Sequence, residues 1–153
     1  MPKIDIENAP TRIGAGYPEP YRSRVGALLR RQLGNAAGLT QFGVNLSTLE
    51  PGCISSLRHW HEVEDEFVYM IAGEVILVED DGEFVLRPGD AAGFKAGTAN
   101  GHQLVNRSDE PATFMEIGSR FADEHAHYPE DDLAYHKRAG VVSFTRKDGS
   151  TVE

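Results

Sequence analysis

The pattern of hydrophobic and polar residues changes near residue 41. Apolar and polar residues alternate over residues 42–47, which is typical of a strand with one buried face because successive side chains of a strand point to opposite sides. We predict that Phe42, Val44 and Leu46 form that buried face. Seven further strand candidates follow: a short strand leading to His59, then residues 66–71, 74–79, 84–86, 91–95, 101–107 and 112–117.

Turn residues separate these strand candidates at close intervals. Pro51-Gly52 and Pro88-Gly89-Asp90 are turn sequences, and Asp80-Asp81-Gly82 is a strong hairpin signal. Because no helical segment intervenes, the spacing predicts an all-β fold, either a closed antiparallel barrel or a jelly roll.

The two ends of the chain do not follow this pattern. Within residues 1–40, only residues 25–33 have the character of a short helix. After Gly118 the chain becomes polar and rich in histidine and acidic residues, with one last strand candidate at residues 141–145. We therefore predict an N-terminal arm (1–40), a β-barrel (41–118) and a C-terminal arm (119–153), with both arms packed on the barrel or on a second subunit.

Composition limits the classes of partner. The 153 residues suit one domain, and 15 Lys and Arg against 24 Asp and Glu give a net charge of −9. Without a cluster of basic residues, this charge argues against nucleic acid and against an anionic membrane surface as partners. The single cysteine, Cys53, excludes an internal disulfide, and the first residues lack the apolar core of a signal peptide. We therefore expect a cytoplasmic protein.

Four residues are candidates for one metal site. His59 and His61 are two residues apart, so on a strand both imidazoles leave the same face, roughly 7 Å apart at the backbone. One ion with metal–nitrogen bonds of ~2.0–2.1 Å can be held by both. Glu66 opens the next strand after an acidic loop that can fold back, and His102 lies in a later strand candidate. These side chains predict a site for a divalent metal ion.

The same spacing resembles two motifs of the cupin superfamily. Gly52, His59-x-His61, Glu66 and Gly73 resemble its first motif, and Gly89-Asp90, Gly97, His102 and Asn106 resemble its second. The resemblance implies a double-stranded β-helix, which is a jelly-roll barrel, with one metal held by His59, His61, Glu66 and His102. More narrowly, the chain is similar to bacterial single-domain cupins described as sugar-phosphate-isomerase-like. The turn between Gly97 and His102 is two residues longer than the motif usually has.

Three imidazoles and one carboxylate can bind Zn, Mn, Fe, Ni or Co, so the ligand set alone does not identify the metal. We favour a metal-dependent enzyme, isomerase-like or lyase-like, that acts on a small oxygenated or sugar-like substrate. An Fe(II)-dependent dioxygenase and a non-catalytic module that binds metal or a small ligand stay open. No general base can be assigned: Glu116 and Tyr69 cannot be placed against the ion from sequence, and His125 or His127 would serve only if the C-terminal arm covers the barrel mouth.

Several residues near the site receive a non-catalytic interpretation. Trp60 faces away from the metal and packs on an arm or a partner subunit, and Cys53 is a small core residue. His125-x-His127 lies among acidic residues and is interpreted as a solvated tail, with a second metal site or a lid as alternatives.

The predicted lining of the barrel determines the expected ligand. Val68, Met70 and Leu104 are predicted to face inward, while Arg58, pointing outward, and Lys95 are the only basic residues near the site. This lining favours a small ligand bound through two oxygens over a phosphorylated sugar. A homodimer is expected from the sheet edges and the two arms.

Overall fold

The computed structural model describes residues 2–152, and its regular structure is almost entirely β. The strands are β1 (Thr11–Ile13), β2 (Leu28–Gln32), β3 (Phe42–Leu49), β4 (Trp60–His61), β5 (Glu66–Ala72), β6 (Val75–Glu79), β7 (Gly82–Leu86), β8 (Ala91–Phe94), β9 (Gln103–Val105), β10 (Ala112–Ser119), β11 (Glu124–His127), β12 (Ala134–Arg138) and β13 (Val141–Thr145). Two helices of four residues each, α1 (Arg22–Val25) and α2 (Leu33–Ala36), flank β2. In the described chain, no helix has the length and apolar character needed to cross a bilayer.

Antiparallel pairing joins the strands into three sheets. Their strand orders are β1-β2-β3-β10-β5-β8, β7-β6-β9 and β13-β12-β11-β4. Two isolated bridges, Ile54 with Val105 and His59 with His102, continue the pairing between the segment before β4 and the region of β9. The eight strands from β3 to β10 match the eight strand candidates, and the prediction of an all-β jelly-roll barrel is confirmed.

The main core lies between the six-stranded and three-stranded sheets. It consists of Leu28, Leu49, Val68, Met70, Val75, Leu77, Leu86, Leu104, Ala112 and Phe114. The predicted inward orientation of β5 is confirmed, since Val68 and Met70 are buried whereas Tyr69 between them is exposed.

Gly73 forms the tight turn between β5 and β6. Its φ is +73°, and a Cβ atom there would lie 2.5 Å from the carbonyl oxygen of Pro111. The turn therefore requires glycine both for its backbone conformation and for its close approach to the chain before β10.

The predicted buried face of β3 is wrong. Ser47 and Leu49 are fully buried, whereas Phe42 is 41% exposed and Val44 and Leu46 are half-buried on the other face. The reason is that one end of the barrel is a polar cup, so a hydroxyl and an amide of β3 point inward in place of apolar side chains.

The predicted helix over residues 25–33 is also wrong. Residues 28–32 form β2, which pairs with both β1 and β3. Leucine, arginine and glutamine favour a helix locally, but pairing with β3 and burial of Leu28 override that preference.

The C-terminal arm forms a sheet and is not a solvated tail. The predicted last strand coincides with β13, but residues 124–127 form β11, which pairs with β12 and β4. Glu124 and Ala126 are buried, whereas His125 and His127, which alternate with them, are partly exposed. Burial thus alternates as in a strand, although the polar composition of the segment does not show it.

Candidate metal centre

Strand pairing brings the four predicted ligands to the floor of one cup. The backbone amide of His59 donates to the carbonyl of His102 at 3.2 Å, and the amide of His102 donates back at 2.9 Å. His61 ends β4 and Glu66 begins β5, so residues 62–65 form the loop that turns the glutamate back toward the histidines. The longer turn before His102 does not displace it, because the side-chain oxygen of Asn100 in that turn accepts a hydrogen bond from the amide of Asp80 at 2.9 Å.

The carboxylate of Glu66 is the point on which the three imidazoles converge. Its Oε2 lies 2.7 Å from Nε2 of His102 and 3.5 Å from Nε2 of His59, and its Oε1 lies 3.4 Å from Nε2 of His61. The structure thus gathers all four predicted residues. That they hold a metal ion stays a prediction.

The rings of the histidines are held in place by their neighbours. Nδ1 of His59 donates to the carbonyl of Leu57 at 2.8 Å, which leaves Nε2 unprotonated in the neutral ring and directed at Glu66. Phe94 stacks on His102 with ring centroids 3.6 Å apart and an interplanar angle of 5°. His61 packs edge-on against His59, with ring centroids 4.9 Å apart.

The donor set fits a divalent cation. Among residues 2–152, three buried side-chain atoms have no hydrogen-bond partner, and all belong to this group: Oε2 of Glu66, Nδ1 of His61 and Nδ1 of His102. Donor atoms of His59, His61 and Glu66 lie within 4.8 Å of one another. Of the three unpartnered atoms, Oε2 of Glu66 is the one that faces the imidazoles, and three Nε2 atoms within 3.5 Å of one carboxylate are an arrangement suited to ligands around an ion.

The electrostatics of the group keep its carboxylate ionised. Burial raises the pKa of Glu66, but the charge of His59 and the contacts with His102 and His61 outweigh it and hold the pKa well below its usual value. Burial lowers the pKa of His61, yet contact with Glu66 raises it by more, so the net shift is upward. For His102, burial prevails and the pKa is lowered.

These shifts predict how metal affinity depends on pH. Because the pKa of His61 is raised above 6.5, a proton begins to compete with the metal at a higher pH than at an ordinary histidine. We expect affinity to fall as the pH is lowered, beginning above about 6.5, with release of protons on binding. Calorimetric titration in two buffers of different ionisation enthalpy measures both quantities. Affinity that stays constant from about pH 7.5 to 5 would contradict imidazole ligation.

Glu124 is a structural residue that the sequence analysis missed. Its carboxylate is inaccessible to solvent and accepts hydrogen bonds from the backbone amides of residues 62–64 and of His125. Its Oε2 lies 3.9 Å from Nδ1 of His61. Glu124 therefore fixes the loop between two predicted ligands, His61 and Glu66. An acidic residue in a polar segment gives no local sign of such a role.

The cup above the centre has a volume of about 760 Å³ and carries more charge than predicted. Its basic residues are Arg12, Arg30, Arg120 and Lys137, and its carboxylates are Glu64, Glu66 and Glu116. The interpretation that Arg58 and Lys95 are the only basic residues near the site is wrong, because the arms contribute Arg12, Arg30 and Lys137. Val68 and Leu104 also line the cup, whereas Met70 lies in the core.

Glu116 lies on the wall of the cup next to the predicted metal ligands. Its Oε2 accepts hydrogen bonds from Nε of Arg30 at 2.9 Å and from the hydroxyl of Ser47 at 2.6 Å. Glu116 pairs with Val68 on β5, two residues beyond Glu66. It is therefore a diagonal neighbour of Glu66 on the same face of the sheet, roughly 7–8 Å away.

Two tyrosines, Tyr17 and Tyr128, also line the cup. The ring of Tyr128 lies 5.9 Å from that of His59 and packs edge-on against Tyr17 at 5.7 Å. Burial raises the pKa of Tyr17 to about 12, and burial together with Tyr17 raises the pKa of Tyr128 well above its usual value. Both hydroxyls therefore stay protonated at neutral pH.

The remaining predicted residues lie outside the cup. Trp60 stacks on His127 with ring centroids 4.2 Å apart, so it faces away from the centre and packs on the C-terminal arm, as predicted. Cys53 packs against the core and its sulfur accepts a hydrogen bond from the amide of Ala27, in line with its prediction as a small core residue. His125 and His127 are not among the residues that line the cup and do not cover its mouth.

Comparison with known proteins agrees with this architecture. The cupin domain family matches residues 45–118. A structure of a sugar phosphate isomerase from a cupin superfamily, from Silicibacter pomeroyi DSS-3, is 47% identical, with a TM-score of 0.95 and coverage of 99% of this chain and 97% of that one. A putative sugar phosphate isomerase from Acidithiobacillus ferrooxidans ATCC 23270 is 28% identical, with a TM-score of 0.76 and coverage of 83% and 81%.

A curated relative shares a shorter region. Oxalate decarboxylase OxdC from Bacillus subtilis (strain 168) is 36% identical over 85 residues, which is 52% of this chain but only 20% of that enzyme. The structure from Silicibacter pomeroyi, by contrast, is similar over nearly its whole length. With the cupin domain match over the barrel, this similarity shows that the chain belongs to the cupin superfamily.

Proposed function

We propose that this cupin is a metal-dependent enzyme, isomerase-like or lyase-like, that acts on a phosphorylated sugar-like substrate. The observation that carries the proposal is a single cup that combines four candidate metal ligands with basic residues from both arms. The names of the two structural relatives support the substrate class. The metal itself is one divalent ion among Zn, Mn, Fe, Ni and Co.

The charges of the cup favour an anion. Lys137 is paired with Glu64, and Arg30 with Glu116. Among the described residues 2–152, Arg120 contacts only neutral oxygens, those of Asn35 and Leu39. Within residues 2–152, the guanidinium of Arg12 has neither an ion-pair partner nor a hydrogen-bond acceptor. Two arginines with uncompensated charge suit a phosphate group, although the whole chain carries a net charge of −9.

The volume of the cup also favours a sugar phosphate over a two-carbon acid. Pockets for compact organic ligands measure roughly 300–1,000 Å³, and this cup holds about 760 Å³. We therefore replace the expectation of a small ligand bound through two oxygens by one of a longer substrate. Its oxygenated end would lie on the floor and its phosphate near the arms.

The residues of the chain supply proton transfer and orientation. A bound divalent ion would polarise the oxygens of a hydroxycarbonyl group and make the neighbouring C–H more acidic. Glu116, held by Arg30 and Ser47, is the group we assign to accept that proton. Tyr17 and Tyr128, which line the cup beside His59, would donate hydrogen bonds to substrate oxygens.

The assignment of Arg12 to the phosphate is testable by substitution. We expect Arg12→Gln to raise KM for phosphorylated substrates about tenfold or more with a small change in kcat, because a charge-assisted contact is worth roughly 1.5–3 kcal/mol. Arg107→Gln is the matched control, since Arg107 pairs with Glu83 on the surface. Steady-state kinetics of both variants test the assignment of Arg12 to the phosphate, and an equal KM in both would contradict it.

The reaction class is tested with metal-loaded protein and a panel of aldose and ketose phosphates. Incorporation of solvent deuterium next to the carbonyl carbon, followed by NMR, is expected for isomerisation. Deuterium incorporation confined to unphosphorylated analogues would contradict the proposal.

Other reaction classes have their own readouts in the same assay. The similarity to oxalate decarboxylase favours decarboxylation as a second candidate, which release of CO₂ from oxalate or a related acid would detect. Oxygen consumption would identify a dioxygenase, and retained metal without turnover would identify a binding module. The homodimer and the cytoplasmic location stay predictions.

A further inference from the structure

Three histidines lie together on the face of the C-terminal sheet that points away from the cup. His125 and His127 are two residues apart on β11, and His136 of β12 pairs with His125. The ring centroid of His125 lies 4.4 Å from that of His127 and 4.5 Å from that of His136. On β12, the neighbours of His136, Tyr135 and Lys137, line the cup. The strand period thus places the histidines on the opposite face.

A carboxylate completes this cluster. Nε2 of His127 lies 2.7 Å from Oε1 of Glu62, and the backbone amide of Glu62 donates to the carbonyl of His125 at 3.0 Å. One donor atom from each of Glu62, His125 and His127 lies within 4.8 Å of the others. Ligands of a tetrahedral ion with bonds of ~2.0–2.1 Å are roughly 3.3 Å apart, so small side-chain rotations suffice to admit one.

The cluster is built on paired strands. Trp60 of β4 stacks on His127 with an interplanar angle of 15°, and the two residues pair in the sheet. The side chains of Glu62 and His127 are 48% and 37% exposed, which gives an ion access and leaves room for water as a further ligand. Nε2 of His136 hydrogen-bonds to the hydroxyl of Thr145 at 2.9 Å, so His136 packs beside the cluster with that nitrogen already engaged.

We propose that Glu62, His125 and His127 form a second metal site, which binds a divalent cation of the Zn²⁺ type independently of the cup. Imidazole nitrogens and a carboxylate oxygen are ordinary ligands for such an ion. The site is distinct from the first because it lies on the other face of the C-terminal sheet: His61 at the end of β4 lines the cup, whereas Glu62, the next residue, contacts His127 on the outer face.

The second ion would fasten the C-terminal sheet to the barrel. It joins the loop after β4 to β11, the strand that also carries Glu124. The wall of the cup formed by Tyr135 and Lys137 belongs to the same sheet. Metal binding outside the cup would therefore stabilise the fold whether or not the cup is catalytic, and the inference does not rest on the proposed function.

The competing explanation is that Glu62 and His127 form only an ion pair. The two explanations differ in zinc stoichiometry. We expect the full chain, equilibrated with buffered free Zn²⁺ and analysed by mass spectrometry of the metal, to hold two equivalents. His127→Gln should hold one, and the double variant H59Q/H61Q should also hold one. His136→Gln is the matched control and should keep two. An unchanged zinc content in His127→Gln would overturn the proposal.

Thermal unfolding provides a second readout that needs no activity. A ligand that binds only the folded state raises Tm. We expect Zn²⁺ to raise the Tm of H59Q/H61Q but not that of H59Q/H61Q/H127Q. An equal rise in both variants would contradict the second site. If the double variant does not fold, the comparison is made between the unmodified chain and His127→Gln, where a smaller rise in His127→Gln is expected and an equal rise would be contradictory.

Discussion

His61→Ala is expected to lose one equivalent of bound divalent metal and all measurable turnover while the barrel stays folded. The loss of affinity should exceed about 100-fold, because substitutions of mere hydrogen-bond partners of metal ligands already cost about 10–100-fold. Folding of the metal-free protein should change little, since Nδ1 of His61 is buried without a hydrogen-bond partner and its removal relieves that cost. Metal analysis after dialysis, together with circular dichroism, measures both effects.

The matched control for that variant is a histidine outside both candidate sites. His136→Gln removes an imidazole from the C-terminal sheet and should keep the metal content and the activity of the unmodified chain. An unchanged metal stoichiometry in His61→Ala would remove the cup from consideration as a metal centre.

Glu124→Ala should produce the largest loss of stability. Its carboxylate accepts the backbone amides of residues 62–64 and His125 in the interior, and alanine would leave these donors without acceptors. We expect the free energy of unfolding to fall by about 2–4 kcal/mol. Each kcal/mol lowers Tm by roughly 2–4 °C in a chain of this size. Metal affinity should also fall, because the loop held by Glu124 fixes the position of Glu66 relative to His61.

Two further variants calibrate that loss. Glu124→Gln keeps one acceptor oxygen and nearly the same volume, so its destabilisation should be intermediate. Glu130→Ala removes a carboxylate that is 61% exposed and pairs with Arg58, which keeps Asp80 as a second partner, so it should cost no more than about 1 kcal/mol. Equal unfolding free energies for Glu124→Ala and Glu130→Ala, from urea titrations, would contradict the structural role of Glu124.

The barrel could be predicted because its information is local. Alternating residues and turn sequences such as Asp80-Asp81-Gly82 specify strands within a few residues of one another. The spacing of His59, His61 and Glu66 is equally local, since strand geometry alone places the two imidazoles on one face. His102 is distant in sequence, and the resemblance to the cupin superfamily is what adds it to the predicted ligands. The structure brings it to 2.7 Å from Glu66.

The arms could not be predicted because their structure depends on distant partners. Residues 28–32 favour a helix in isolation and become a strand only by pairing with β3. The alternation of buried and exposed residues in β11 is hidden from the sequence because one buried residue is a glutamate, Glu124. Its carboxylate accepts hydrogen bonds from backbone amides of a loop 60 residues away in the chain. The basic residues of the cup were missed for the same reason, since Arg12 and Lys137 reach it from opposite ends of the chain.

The predicted orientation of β3 is wrong for a different reason. The rule that apolar side chains point inward holds where the interior is a hydrophobic core, and Leu49 obeys it. At the other end of the strand the interior is a polar cup, where Asn45 lines the wall and Ser47 holds Glu116. Departures from the expected pattern of burial thus coincide with the candidate site.

Anomalous X-ray diffraction at the absorption edge of the loaded metal tests the central claim most directly. Crystals of the full chain grown with Zn²⁺ or Mn²⁺ should show an anomalous peak on the floor of the cup. The peak should lie about 2.0–2.2 Å from Nε2 of His59, His61 and His102 and from a carboxylate oxygen of Glu66. Metal-loaded crystals with no peak between these four side chains would contradict the account.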